Sequence, residues 1–231
     1  MATTGGHTLK AFDQDIDRLR ALISQMGGIA EYAIGEAMRC LIDRDSEGAR
    51  RIVEDDKKLD ALEIEAERRA VQLIALRAPM AGDLREIVAA LKISGVVERI
   101  GDYAKNIAKR VPSLESAHKI EPLSLLPEMA RIATGMVHDV LDAFVQRDAE
   151  GAIRVCRRDD AVDDFYDSIF RTLLTHMMEN PQNIGHATQL LFVARNLERV
   201  GDHATNIAEM VHYAATGRHL AKEALLNEQS S

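Results

Sequence analysis

The sequence predicts an all-α protein made of two tandem, pseudo-symmetric three-helix bundles. Apolar residues recur at helical spacing along most of the chain, no stretch alternates like a strand, and short motifs recur in both halves. Aromatic residues make up 4% of the chain and Trp is absent. Leu, Ile, Val, Ala and Met must therefore fill the core, and these residues suit packed helices.

Six helical segments account for this pattern. The first begins near Phe12, and its apolar residues lie three or four positions apart as far as Leu41. Prolines and polar stretches separate the segments that follow. These are expected at about 45–77, 81–111, 125–146, 148–178 and 184–215.

Domain boundaries follow from the prolines and from the polar C-terminus. The segment between Pro112 and Pro127 is predicted to link the bundles, and the residues after Thr216 are polar. The predicted organisation is a first bundle at 1–112, a second at 113–216 and a polar tail at 217–231.

The two halves repeat one another in sequence. Arg44–Ala49 (RDSEGA) corresponds to Arg147–Ala152 (RDAEGA), and Glu98–Asp102 (ERIGD) corresponds to Glu198–Asp202 (ERVGD). Repeats of this kind indicate copies of one structural unit. Gly101 lies within the second motif at a mid-helix position, where close helix–helix packing is the expected reason for glycine.

Acidic residues within the repeat form pairs spaced four apart on predicted helices. The pairs are Asp56 with Asp60, Glu98 with Asp102, Asp159 with Asp163, and Glu198 with Asp202. Residues four apart lie on one helix face, so each pair projects two carboxylates side by side. Asn106 and Asn206 extend the rows of the third and sixth helices by one turn.

Carboxylates held this close repel one another, and a bound cation would relieve the repulsion. Oxygen ligands favour hard divalent or trivalent ions. We therefore predict that the four acidic pairs bind metal, with Fe, Mn, Mg or Zn as candidates and with Asn106 and Asn206 as further candidate ligands. A single pair would be read as solvated surface, but four pairs in register with the repeat favour a metal site.

The position of the acidic rows follows from helix geometry. The apolar stripe of the third helix runs from Ile93 to Val111, and that of the sixth helix runs from Val193 to Val211. At about 100° per residue the acidic row lies almost opposite the stripe, so we expect it at the surface.

Composition and missing motifs exclude several functions. The net charge is −8 and no basic run interleaves with aromatic residues, so direct nucleic-acid binding is not expected. The sequence contains no nucleophile elbow, P-loop or dinucleotide motif, so neither an enzyme nor catalytic residues are predicted.

Signal-peptide and membrane-spanning patterns are also missing, so the expected location is the cytoplasm, with membrane contact only through partners. Cys40 and Cys156 are predicted to be buried apolar residues.

These motifs resemble those of the PhoU family of phosphate-transport regulators. The similarity extends from about Phe12 to Tyr213, and it is greatest at Arg77–Arg85 (RAPMAGDLR), Glu98–Ala108 and Glu198–Ala208. The resemblance implies a homodimer with metal clusters at the acidic motifs. It also implies a cytoplasmic negative regulator of the phosphate-starvation response and of phosphate uptake. The implied partners are the ATPase subunit of a phosphate ABC transporter and a sensor histidine kinase, between which the protein would act as an adaptor.

One segment departs from the repeat. Asp83–Arg85 of the first half is replaced by Asn183–Gly185 in the second, so functional symmetry is not expected at this joint.

Two alternative functions remain open at this point. One is a metal-handling protein or metal-dependent enzyme that uses the acidic residues, and the other is a similar domain recruited to another transporter or channel.

Overall fold

In the computed structural model, residues 4–115 and 124–220 are described, with side chains from Phe12 onward. Within these ranges the chain is helical and contains no strand, which confirms the all-α class. None of the described helices is both long and apolar enough to cross a bilayer. The helices are α1 (Thr4–Asp43), α2 (Ser46–Asp55), α3 (Lys57–Arg77), α4 (Ala81–Ala108), α5 (Leu126–Gln146), α6 (Ala149–Cys156), α7 (Asp159–Glu179) and α8 (Ile184–Thr216).

The second helical segment of each half is divided in two, which corrects the prediction of single helices there. The segment predicted at 45–77 breaks at Asp56, and the segment predicted at 148–178 breaks just before Asp159. At the first break the Leu59 amide donates to the Asp56 carbonyl over 2.8 Å, a tight 3₁₀-type turn. Helical periodicity does not reveal such a turn, because the apolar pattern continues across it.

Long helices lie at the centre of each half. α1 packs against α2, α3 and α4, and α8 packs against α5, α6 and α7. The halves meet through α1 with α5 and through α4 with α8. The stripes predicted for α4 and α8 are almost completely buried: Ile93, Val97, Ile100, Ala104, Ile107, Val111, Val193, Leu197, Val200, Ala204, Ile207 and Val211. Both cysteines are buried and free, as predicted.

The repeated Arg-Asp motif forms the turn that reverses the chain in each half. Arg44 and Arg147 adopt left-handed conformations with φ of 57° and 56°. In the first half, Asp45 follows Arg44 and caps α2 by accepting a hydrogen bond from the Gly48 amide over 2.7 Å. These turns bring α2 and α6 back against the long helices.

The start of α4 is where the halves differ, as the sequence predicted. Glu86 is 7% exposed and forms ion pairs with Arg20 of α1 and with Arg147 at the end of α5. The corresponding residue on α8 is His186, which is half-buried. The buried carboxylate therefore ties the first bundle to a turn of the second bundle, and α8 carries no equivalent carboxylate.

Candidate metal centres

The structure groups the predicted acidic residues into two clusters, one in each half. The first cluster is Asp56 and Asp60 of the α2–α3 segment with Glu98 and Asp102 of α4. The second cluster is Asp159 and Asp163 of α7 with Glu198 and Asp202 of α8. Neighbouring carboxylates are close enough that, together with burial, their charges raise the pKa of Glu98 in the first cluster and of Asp159 and Glu198 in the second. The pairing of helices needed for a metal centre is therefore present in both halves.

Glycine allows the helices of each cluster to approach. A Cβ atom on Gly101 would lie 2.3 Å from Leu59 Cδ2, and one on Gly201 would lie 3.1 Å from Asp159 Oδ1. The first distance is far below van der Waals contact, so a side chain at 101 would force the buried Leu59 side chain to move. The close packing predicted for Gly101 is confirmed.

Parts of the acidic rows are exposed as predicted, including Asp163 and Asp202, but other members lie in grooves between helices. The side chains of Asp56 and Glu198 are 8% and 12% exposed, while that of Asp102 is 39% exposed. The neighbouring helix covers one side of each row, which an analysis of one helix at a time does not reveal. Asn106 is half-buried and Asn206 is exposed, one turn beyond the acids.

Lys105 neutralises part of the first cluster, and sequence reasoning missed this role. Its ammonium group lies 2.5 Å from Asp56 Oδ2 and 2.5 Å from Asp102 Oδ1, so it joins the start of α3 to α4. Only its pair with Asp102, three positions away on the same helix, could have been read from the sequence.

Carboxylates of the first cluster away from Lys105 remain uncompensated. Burial, followed by the charges of Asp102 and Glu63, raises the pKa of Glu98 to about 7. Glu63 is a further carboxyl group at this end, and burial with the nearby charges of Glu67 and Asp60 raises its pKa. Glu63 lies one turn beyond Asp60 on α3, and this spacing could have identified it as a further acidic residue near the cluster.

The second cluster has Thr205 where the first has Lys105. Three of its oxygen atoms are buried without a hydrogen-bond partner, namely Asp159 Oδ1, Glu198 Oε2 and Thr205 Oγ1. Burial, followed by the charges of Asp163 and Asp202, raises the pKa of Asp159 to about 6. The Thr205 hydroxyl is near enough to offset this rise in part, but the two groups do not form a hydrogen bond of good geometry.

Arginine compensates the opposite end of the second cluster. Arg195, which is 45% exposed, forms an ion pair with Glu198 three positions away on α8. Its counterpart on α4 is Gly95, so the first cluster has no cation at this position. The pKa of Glu198 is still raised, chiefly by burial and then by Asp202.

An aromatic contact lies between the two clusters where α4 meets α8. The rings of Tyr103 and His203 are 5.2 Å apart in an edge-to-face arrangement, and the tyrosine oxygen is 3.4 Å from His203 Nε2. Burial lowers the pKa of His203 and raises that of Tyr103. The two residues occupy corresponding positions in the repeat, so they connect the halves and do not complete either cluster.

The donor set fits a hard cation better in the second cluster than in the first. Buried oxygen atoms without partners, such as Asp159 Oδ1 and Glu198 Oε2, suit oxygen-preferring ions. In the first cluster Lys105 already pairs with Asp56 and Asp102. Across the described ranges no three His, Cys, Asp or Glu side chains converge closely enough to hold a metal as they stand, so binding would require side-chain adjustment.

Comparison with known proteins gives concordant results. The sequence model of the PhoU domain matches residues 23–111 and again residues 126–211. A phosphate-specific transport system accessory protein PhoU homolog from Zymomonas mobilis is 54% identical over 215 residues, which cover 93% of this chain and 91% of that protein. The accessory protein PhoU of Serratia marcescens is 38% identical over 95% of this chain and 91% of its own length.

Two crystal structures are similar in fold. PhoU from Pseudomonas aeruginosa superposes with a TM-score of 0.85 and is 35% identical, over 90% of this chain and all of that chain. The phosphate transport system regulatory protein PhoU from Streptococcus pneumoniae also gives a TM-score of 0.85, with 27% identity over 91% of this chain and 99% of that chain. The similarity therefore spans both bundles.

Proposed function

The chain belongs to the PhoU family, and we propose that it is the accessory and regulatory protein of a phosphate transport system. The observation that carries this proposal is the similarity to accessory proteins of that system over almost the full length of both chains, up to 54% identity. Similarity of this extent includes both bundles and both acidic clusters, which a shared fold alone would not require.

In this role the protein would restrain phosphate uptake and the phosphate-starvation response when phosphate is plentiful. It would act in the cytoplasm as an adaptor between the ATPase subunit of a phosphate ABC transporter and a sensor histidine kinase. Two related but unequal halves support this arrangement, because each half can present a different surface to a different partner. We expect no catalytic activity, no direct nucleic-acid binding, and assembly as a homodimer.

Metal at the acidic clusters would serve as a clamp between helices. Asp56 and Asp60 would hold the cation with Glu98 and Asp102 in the first half, and the second cluster would do the same between α7 and α8. A bound divalent or trivalent ion, with Fe, Mn, Mg or Zn as candidates, would neutralise carboxylates that otherwise repel one another across the helix–helix groove.

Thermal melting with and without a chelator tests the clamp. Because a ligand that binds only the folded state stabilises it, chelation should lower the melting temperature of the metal-loaded protein. An unchanged melting temperature would rule out a stabilising clamp and leave a docking role for the metal.

A phosphate-starvation reporter tests the regulatory function. In cells that lack this gene, grown in abundant phosphate, the reporter should be active, and an intact copy of the gene should silence it. If the reporter stays silent in the deletion strain, the function must be sought at another transporter or in metal handling.

Binding measurements test the adaptor role directly. The full chain should bind the transporter's ATPase subunit and the cytoplasmic domain of the kinase, and both titrations should be repeated after chelation. A variant with Glu98, Asp102, Glu198 and Asp202 all replaced by Ala should weaken binding if metal orders the contact surface. The matched control carries Glu54→Ala and Glu150→Ala, which change exposed acids outside both clusters. Absence of both complexes under all conditions would contradict the proposal.

A further inference from the structure

Lys105 and Thr205 occupy corresponding positions on α4 and α8 but differ in charge. The Lys105 ammonium group contacts Asp56 and Asp102, each over 2.5 Å, and the Asp56 side chain is only 8% exposed. The equivalent carboxylates in the second half are Asp159 and Asp202. There Asp159 Oδ1 is buried without a hydrogen-bond partner.

We propose that Lys105 is a built-in counter-cation of the first cluster, so that the second cluster binds divalent metal first. This inference rests on the metal binding proposed above. A cation that enters the first cluster must displace the ammonium group from Asp56 and Asp102 or bind beside it against Coulomb repulsion. Thr205 carries no charge, so the second cluster presents no such barrier at Asp159.

Arginines do not cancel this difference. The charge of Arg199 partly offsets the raised pKa of Glu198. The charge of Arg99 partly offsets the raised pKa of Glu63, so each half has one arginine near a glutamate of its acidic groove. Arg195 has no counterpart, but it is 45% exposed and pairs with Glu198 at the far end of the second cluster. Water screens its charge more strongly than that of Lys105, which is 22% exposed. The end of the second cluster that contains Asp159 therefore stays open.

The consequence is that the two halves respond differently to metal. In the first half Lys105 joins the start of α3 to α4 whether or not metal is present. In the second half no ammonium group of the described residues lies between Asp159 and Asp202, so a bound cation would supply the charge compensation that Lys105 supplies in the first half. The second cluster is thus the one whose charge compensation depends on metal, whereas the first cluster is partly compensated without it.

Titration of the full chain with Mn²⁺ tests this inference, with free Mn²⁺ followed by electron paramagnetic resonance. The wild-type protein should show one tight and one weak class of sites. Lys105→Thr should strengthen the weak class, and Thr205→Lys should weaken the tight class, each by about tenfold or more. Lys92→Thr, the same change at an exposed position on α4, is the matched control and should alter neither class.

Paired Asn variants assign each class to a cluster. Replacing Asp159 and Asp202 by Asn should remove the tight class, and replacing Asp56 and Asp102 by Asn should remove the weak class. The reverse assignment would overturn the inference, as would equal affinities in the wild-type protein combined with no effect of Lys105→Thr.

Melting of the metal-free protein separates failure of this inference from failure of metal binding. If no variant binds Mn²⁺, the proposed metal binding is wrong, but the counter-cation is still tested. Lys105→Thr should then lower the melting temperature by about 2–4 °C, because it leaves the buried Asp56 carboxylate unpaired. Thr205→Lys should raise it. Absence of both shifts would overturn the role of Lys105.

Discussion

The two acidic clusters have the same acids at the same helical positions, yet they are neutralised at opposite ends. In the first cluster Lys105 lies between Asp56 and Asp102. In the second cluster Glu198 is the carboxylate that forms an ion pair, and its partner is Arg195. The acidic motifs therefore determine where the carboxylates lie, whereas neighbouring basic residues determine which carboxylates keep an uncompensated charge.

Carboxyl pKa values follow this reversal. The strongly raised pKa belongs to Glu98, at about 7, in the first cluster and to Asp159, at about 6, in the second. Each of these residues lies away from the cation that its cluster contains. A metal that neutralises the open end of each cluster would therefore contact different members of the repeated motif.

The largest expected effect concerns the joint where the halves differ most. Glu86→Ala should reduce the free energy of unfolding by about 3 kcal/mol, or roughly 6–12 °C in melting temperature, because it leaves the half-buried Arg20 without its interhelical partner. His186→Ala, at the corresponding position of α8, should cost about 0.5–1 kcal/mol. If urea denaturation shows equal losses in the free energy of unfolding for the two variants, the joint is not a source of asymmetry between the halves.

A second prediction compares the glycines that allow close helix packing. Gly101→Ala should cost about 1–2 kcal/mol, because overpacking against the buried Leu59 outweighs the gain in helix propensity. Gly201→Ala should be neutral within about 0.5 kcal/mol, since its nearest contact, to Asp159, is 3.1 Å. Gly28→Ala, where a Cβ atom meets open space, is the control and should stabilise α1. A larger loss at 201 than at 101 would contradict this order.

A third prediction concerns pH dependence in the metal-free protein. Because folding raises the pKa of Glu98 from 4.5 to about 7, the folded state binds more protons than the unfolded state across that window. The free energy of unfolding should therefore fall as pH rises through the window. The stabilising contribution of protonated Glu98 should be completely lost above about pH 7. For Asp159 the corresponding window runs from 3.8 to about 6.

Amide variants measure each contribution. Glu98→Gln should remove the dependence in the upper window and stabilise the protein at about pH 8 by roughly 1 kcal/mol, a value discounted for partial exposure. Asp159→Asn should remove the dependence only in the lower window, and it should stabilise the protein at pH values above about 6. Urea denaturation at a series of pH values, with chelator present, checks both. A stability that rises with pH across these windows would contradict the assignment.

The smallest expected effect concerns the contact between the clusters. Tyr103→Phe removes a contact of 3.4 Å to His203 but keeps the edge-to-face rings, so it should cost about 0.5 kcal/mol or less. Mn²⁺ affinity at both clusters should stay unchanged. Tyr32→Phe, at a side chain that is 70% exposed, is the control with no expected effect. A change in Mn²⁺ affinity would mean that this contact couples the clusters.

Most of the fold could be predicted from the sequence, because local patterns determine it. The stripes from Ile93 to Val111 and from Val193 to Val211 are buried as predicted, and the acidic pairs fall into two clusters on paired helices. The breaks at Asp56 and just before Asp159 could not be predicted, since a tight turn leaves the apolar period intact. The domain boundaries, the metal ligands and the metal itself stay predictions.

The sequence by itself determined the helices, the repeat and the acidic rows, because each depends on residues three or four positions apart on one helix. The pairs of Arg195 with Glu198 and of Lys105 with Asp102 are also local, but the pairing of Lys105 with Asp56 depends on tertiary packing. The contact between Lys105 and Asp56 joins residues 49 positions apart and depends on how closely α3 approaches α4 at Gly101. The compensation of Asp56 is therefore a property of the space between two helices, and the sequence of either helix alone does not contain that information.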